Sequence, residues 1–138
     1  MDAHRFTLRV YYEDTDLAGI VYYANYLKFI ERARSEWVRE LGVDQRAMKT
    51  DAGLVFAVRR LEADYLAPAQ FDDVLAVESR VVAASPARLT LRQDVLREGV
   101  VLFSARVVLV CLDAAGRPRR LPAALAPMIA AGRKAGGT

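Results

Sequence analysis

YANYLKFIERARSEWVRELG, residues 23–42, carries apolar side chains at alternating spacings of three and four. Tyr26, Phe29, Ile30, Ala33, Trp37, Val38 and Leu41 form one stripe, and Lys28, Glu31, Arg32, Ser35, Glu36 and Arg39 take the opposite side. That period fits a helix with one buried face, so a long helix is predicted from about Tyr23 to Leu41. Gly42 stands where a left-handed residue closes a helix.

On either side of this segment the pattern changes period. Residues 5–12 (RFTLRVYY) read as a strand with Phe6, Leu8 and Val10 on one face, and Glu13–Gly19 (EDTDLAG) reads as a turn. Beyond a loop running through Gly53, strand-like runs occupy 54–65, 74–84, 88–95 and 100–112. Pro68–Asp73, Ser85-Pro86 and Glu98-Gly99 supply the turns, and Ala-rich 123–131 reads as a short terminal helix. Arg88–Val95 alternates as a strand with one wet face, while Val100–Leu112 is apolar enough to be covered on both faces. Connections this short fit an antiparallel sheet. The expected class is therefore α+β, with one long helix lying on a curled five-stranded antiparallel sheet. One helix leaves an apolar face or an open edge without cover, so association with a further copy is expected.

Composition removes several chemistries. The chain has 138 residues, a length typical of one domain, taken as 1–138. One cysteine forms no internal disulfide, and one histidine builds no multi-histidine metal site. The net charge of +3 is unevenly spread: residues 1–113 hold 15 basic and 17 acidic groups, whereas 114–138 hold five basic groups and no acid. Such a tail can meet phosphate groups or simply stay solvated. It has no interleaved aromatics to support nucleic-acid binding. The opening MDAHRFTLRV has no apolar core, so no secretory signal is expected. The longest uncharged apolar run, 121–132, has 12 residues, too few for a membrane span. A cytoplasmic setting is the expectation.

The densest polar cluster, Glu13-Asp14-Thr15-Asp16, lies just ahead of the helix. Helix starts gather unpaired N–H groups and partial positive charge, which suit an anion or a developing oxyanion. A carboxylate beside them can activate water or attack directly. The plain alternative is that these acids shape the turn and cap the helix. A divalent-metal site from Glu13, Asp14 and Asp16 is a third reading.

VYYEDTDLAGIVYYANYLKFIERARSEWVRELG (10–42) resembles the signature of the 4-hydroxybenzoyl-CoA thioesterase-like hotdog family. It is most similar to the subfamily of acyl-CoA thioesterases associated with the Tol–Pal envelope system. The motif is Asp14-Thr15-Asp16-Leu17-Ala18-Gly19-Ile20-Val21-Tyr22, followed at once by the helix. DYLAPAQFDDVLAVESRV (64–81) and VVLVCLDAAGRPRRLP (107–122) extend the likeness over most of the chain.

The resemblance implies the hotdog fold and hydrolysis of an acyl-CoA thioester without metal or organic cofactor, by a homodimer or homotetramer with sites between subunits. It gives Asp16 the catalytic carboxylate, as nucleophile or as base on water, with Tyr23 in the place that binds the thioester oxygen. Where this subfamily often has histidine, the chain has Tyr23, which keeps the backbone donor and loses the imidazole. Gly19 serves the turn, Tyr22 and Tyr26 flank the acyl group, and Arg88 and Arg119 are the cations for CoA phosphates. Asn25 is expected to cap the helix, His4 to lie idle at the terminus, and Cys111 to be an inert buried thiol. The competing function is a non-catalytic scaffold that docks acyl carrier protein or an envelope partner. A dehydratase fits less well, because its usual histidine is represented by His4 alone.

Overall fold

A computed structural model describes residues 1–135. Five strands run antiparallel in the order β1-β3-β4-β5-β2: β1 (His4–Arg9), β2 (Val55–Tyr65), β3 (Val74–Ser85), β4 (Arg88–Arg97) and β5 (Val100–Leu112). A two-residue β6 (Pro118–Arg119) adds to β5. The five runs predicted as strands thus reappear with ends shifted by at most a few residues.

The long helix α1 spans Asn25–Glu40 and buries Tyr26, Phe29, Ile30, Ala33, Trp37 and Val38. Its end follows from Gly42 at φ +94°: the Gly42 N–H reaches the Arg39 carbonyl and the Val43 N–H reaches that of Val38, a Schellman closure. The start falls two residues later than the periodicity suggested, because Tyr22–Ala24 form a turn. The N-cap is Ala24, which has no capping side chain, and Asn25 is instead the first helical residue.

Phe29 and Ile30 sit over Leu75, Val77, Val95 and Phe103 in one core cluster. Trp37 and Val38 join Leu89, Leu91, Leu109, Leu125 and Met128 in a second. Each buried large side chain contributes roughly 1.5–3 kcal/mol. The terminal helix α3 (Ala126–Ala135) follows a 3-10 turn at Ala123–Leu125, and it closes tightly on β3 through Gly132.

Four expectations change. The loop before Gly53 contains a second helix, α2 (Gln45–Ala52), capped by Asp44, whose side chain accepts from the Arg46 and Ala47 N–H groups, and closed by Gly53 at φ +67°. It buries no residue, so it shows no apolar period. β5 is covered on one face only: Phe103, Ala105, Val107, Leu109 and Cys111 are buried, whereas Arg106 on the other face is exposed. β4 is less wet than its alternation implied, since Thr90 and Asp94 on that face are buried between β3 and β5. His4 is not idle either. Its ring stacks on Trp37 at 5.6 Å, and its Nε2 meets the Glu40 carboxylate at 2.9 Å, tying β1 to the end of α1.

Candidate active site

The segment 11–24 crosses from β1 to α1 and is held at both ends by its own polar groups. Asp14 Oδ2 accepts the Tyr11 N–H at 2.8 Å. The Asp14 carbonyl accepts two donors, the Tyr22 N–H and Asn25 Nδ2, each at 2.9 Å. Asn25 therefore ties the loop to the helix start rather than capping the helix. Val21 N–H reaches Ala69, and short bridges pair Thr15 with Val21 and Ile20 with Gln70.

Asp16 sits in a tight turn inside this frame. Its Oδ1 accepts the Ala18 N–H at 2.9 Å, its N–H reaches the Ile20 carbonyl, and its carbonyl accepts the Gly19 N–H. Gly19 adopts φ +80°, a conformation a side chain resists. Asp16 is exposed, and among the described residues its Oδ2 accepts no hydrogen bond and its carboxylate makes no ion pair. Glu13, Asp14 and Asp16 form no metal-binding group, and no cluster of three such ligands occurs among the described residues. The metal reading of this turn is thereby set aside: Asp14 points its carboxylate back at its own backbone.

The start of α1 leaves donors open. Asn25 N–H is taken by the Tyr22 carbonyl and Leu27 N–H by that of Ala24. The N–H groups of Tyr23, Ala24 and Tyr26 donate to no protein acceptor among the described residues. Tyr23 lies before the helix, so its amide belongs to the turn leading into α1. Unpaired amides here carry the positive end of the helix dipole.

Beside these amides lies an apolar cleft of about 330 Å³, walled by Ile20, Tyr23, Tyr26, Tyr65, Leu66 and Pro68 among others. Tyr26 is buried, stacks on Phe103 at 5.0 Å and accepts the Ala69 N–H at its hydroxyl. Tyr22 packs on Tyr23 at 4.9 Å. Asp16 is not among the lining residues. The Tyr22 hydroxyl is held above the ordinary tyrosine range by its hydrogen bond and coupling to Tyr23, then by burial and Asp16. Burial likewise raises Tyr26 and Tyr65, although the Ala69 N–H opposes this at Tyr26. All three keep their phenolic protons at neutral pH. Tyr65 has little sequence signal beyond an aromatic that ends the strand before Leu66-Ala67-Pro68.

The two cations stand elsewhere in the chain. Arg88 is exposed at the start of β4, in a shallow groove with Arg59, Ser85 and Pro118. It pairs with Val110, whereas Tyr65 pairs with Phe103, which separates them by roughly 20 Å along β5. Arg119 donates to Asp113 at 3.0 Å, and Arg117 shares the same carboxylate. Two of the tail's five cations thus share one carboxylate. Cys111 is buried in β5 with its thiol pushed up by burial. Among the described residues, no helix is long and apolar enough to cross a membrane.

A sheet wrapped on one long helix, with an acidic glycine turn leading into that helix, defines a hotdog-type thioesterase scaffold. The chain belongs to the Thioesterase-like superfamily, which it matches over residues 10–131. It is 42% identical to the acyl-CoA thioesterase YbgC of Haemophilus influenzae over 108 residues, 78% of this chain and 79% of that protein. It is 38% identical to the acyl-CoA thioester hydrolase YbgC of Escherichia coli O6:H1, covering 86% and 89% of the two chains. Among solved structures, a probable thioesterase from Bartonella henselae superposes with a TM-score of 0.83 at 38% identity, covering 87% of this chain and 99% of that one.

Proposed function

We propose that this protein is an acyl-CoA thioesterase, hydrolysing a CoA thioester to a free acid and CoA. Two observations support the reading: Asp16 keeps an unengaged carboxylate oxygen in the turn that leads into α1, and the amides of Tyr23, Ala24 and Tyr26 stay unpaired beside an apolar cleft. A thioester needs those parts: an apolar place for the acyl group, donors for the carbonyl oxygen, and a carboxylate for attack. Kinship with proteins named as acyl-CoA thioesterases supports the same assignment.

In this mechanism the thioester carbonyl oxygen lies against the Tyr23 amide and its neighbours. Asp16 either attacks the carbonyl carbon, or removes a proton from a water that attacks it. In the first route an acyl–aspartyl anhydride forms and water opens it. In both routes the C–S bond breaks, sulfur leaves as the CoA thiolate and takes a proton, and the acid retains one water oxygen. Gly19 sets the turn that aims Asp16, and Tyr22 and Tyr26 flank the acyl group.

The working unit is a homo-oligomer built on the open edge of β2. Val58, Leu61 and Tyr65 are exposed on the helix-facing side of that edge, and Leu17 is fully exposed nearby in sequence to the site turn. Antiparallel pairing of two β2 strands sets the Val55–Arg59 end of one copy beside the Tyr65 end of the other. Arg59 and Arg88 of a second copy would then approach the end of the sheet that holds the cleft, where CoA phosphates need cations. Arg119, already held by Asp113, is the weaker contributor. A single buried thiol agrees with a cytoplasmic site of action.

The test is thiol release from a panel running from butyryl- through benzoyl- to palmitoyl-CoA. Turnover of at least one substrate is expected. No release from the panel or from acyl carrier protein thioesters would favour the alternative, a binding scaffold.

A further inference from the structure

Tyr65 ends β2 and faces Tyr23 across the cleft. Its hydroxyl donates to the Tyr23 carbonyl at 2.8 Å. Its ring meets Tyr23, Tyr26 and Phe103 edge-on, at 6.2, 5.6 and 5.1 Å. The Tyr23 carbonyl and the Ala24 N–H are two ends of one planar amide, and the Tyr23 N–H belongs to the amide before it. Both N–H groups are among the unpaired donors of the site. A hydrogen bond received at a carbonyl fixes the plane of its amide and polarises the N–H at the other end.

Building on the thioesterase reading, we infer that Tyr65 is a positioning and selectivity residue. Its hydroxyl holds the Tyr23–Ala24 amide in the orientation that receives the thioester oxygen, and its ring walls the acyl cleft. The two roles sit on different atoms, so they separate by substitution. No other side chain among the described residues hydrogen-bonds that carbonyl. With the Tyr65 ring as a wall beside Tyr23 and Tyr26, the cleft favours compact acyl groups over long chains.

The test compares wild type, Tyr65→Phe and Tyr65→Leu on butyryl-, benzoyl- and palmitoyl-CoA. Tyr65→Phe should lose roughly tenfold in kcat on every substrate turned over, as expected for one lost hydrogen bond to a polarised group. Its KM and its preference for compact over long acyl groups should stay within about twofold. Tyr65→Leu should lose kcat similarly and also lose most of that preference. A spectroscopic readout separates positioning from loss of folded protein. In the Asp16→Asn background, the carbonyl stretch of bound benzoyl-CoA should shift to lower frequency, and adding Tyr65→Phe should reduce that shift. An unchanged kcat or an unchanged carbonyl shift with Tyr65→Phe overturns the positioning role. An unchanged acyl preference in Tyr65→Leu overturns the selectivity role. Wild-type protein that releases thiol from none of these esters overturns the hydrolase reading, and this inference with it.

Discussion

Gln93 in the middle of β4 donates a 3.0 Å hydrogen bond to the carbonyl of Ile30 in the middle of α1, joining sheet to helix inside the core. Its Nε2 also reaches Ser79 Oγ at 2.9 Å, and its Oε1 accepts from Arg34 at 2.9 Å. One amide therefore satisfies a hydroxyl, a carbonyl and a half-buried guanidinium. Burial pulls the Arg34 guanidinium below its usual range, with Glu31 acting in the opposite sense. Gln93→Leu keeps the volume and strands these partners. It should destabilise the protein by about 1–3 kcal/mol, read as a shift in the urea midpoint. A neutral result would mean that Arg34 and Ser79 find other partners.

Gly132 tests the opposite kind of constraint. A Cβ built there would lie 2.4 Å from Ala84 Cβ and 2.8 Å from the Ala83 carbonyl carbon, neither of which can rotate aside. Alanine favours a helix over glycine by about 1 kcal/mol, whereas overpacking costs about 1–3 kcal/mol. The steric term should win, so Gly132→Ala should lower the thermal midpoint. A raised midpoint would show that α3 can lift from β3 without penalty.

Asp73 gives the fold an acid limit. Burial works to raise its carboxyl, but the Gln70 N–H and the Arg97 guanidinium, 2.7 Å away, hold it below the ordinary range. With the folded value depressed, the unfolded chain binds more protons as pH falls. The stabilisation is complete above the unfolded value, near about 3.9, and disappears as pH drops through the folded one. Asp73→Asn should therefore flatten the stability-versus-pH curve below about pH 4. An identical acid limb in the variant would assign that limb to other carboxylates.

The β2 edge should decide assembly. Leu61 faces the helix side of that strand and is partly exposed, so Leu61→Arg places a charge in the proposed contact between copies. Light scattering should show an oligomer for wild type and a smaller species for the variant, with thiol release falling in step. A wild-type monomer with full turnover would show that one chain suffices.

How much of this was legible depends on whether a residue's role is local. The stripe from Tyr26 to Leu41 and the left-handed Gly42 are written in spacing, and both stand in the structure. α2 escaped notice because QRAMKTDA buries nothing, although Asp44 and Gly53 marked its ends. Gln93 escaped for the reverse reason: a polar residue on the core face of β4 looks like an interruption of the pattern until its partners arrive from α1 and β3. At the candidate site, turn, acid and helix start are contiguous, which leaves a turn-shaping role open; the resemblance of the 10–42 stretch is what singles out Asp16 and Tyr23. Tyr65 comes from 42 residues away, and only the sheet brings its hydroxyl to the Tyr23 carbonyl. Arg88 rests on a partial match to where relatives present basic residues and Arg119 on the fit of a guanidinium to phosphate, and neither signal carries distance from the cleft.

The most direct measurement is thiol release by Asp16→Asn beside wild type, on the best substrate of the panel, with matched circular dichroism and thermal midpoints. The substitution keeps the Oδ1 acceptor for the Ala18 N–H and removes the charge and basicity of the carboxylate. The account predicts a loss of at least a thousandfold in kcat with the fold intact. A variant that turns over at near wild-type rate would contradict it, leaving the amides at the start of α1 without their chemical partner.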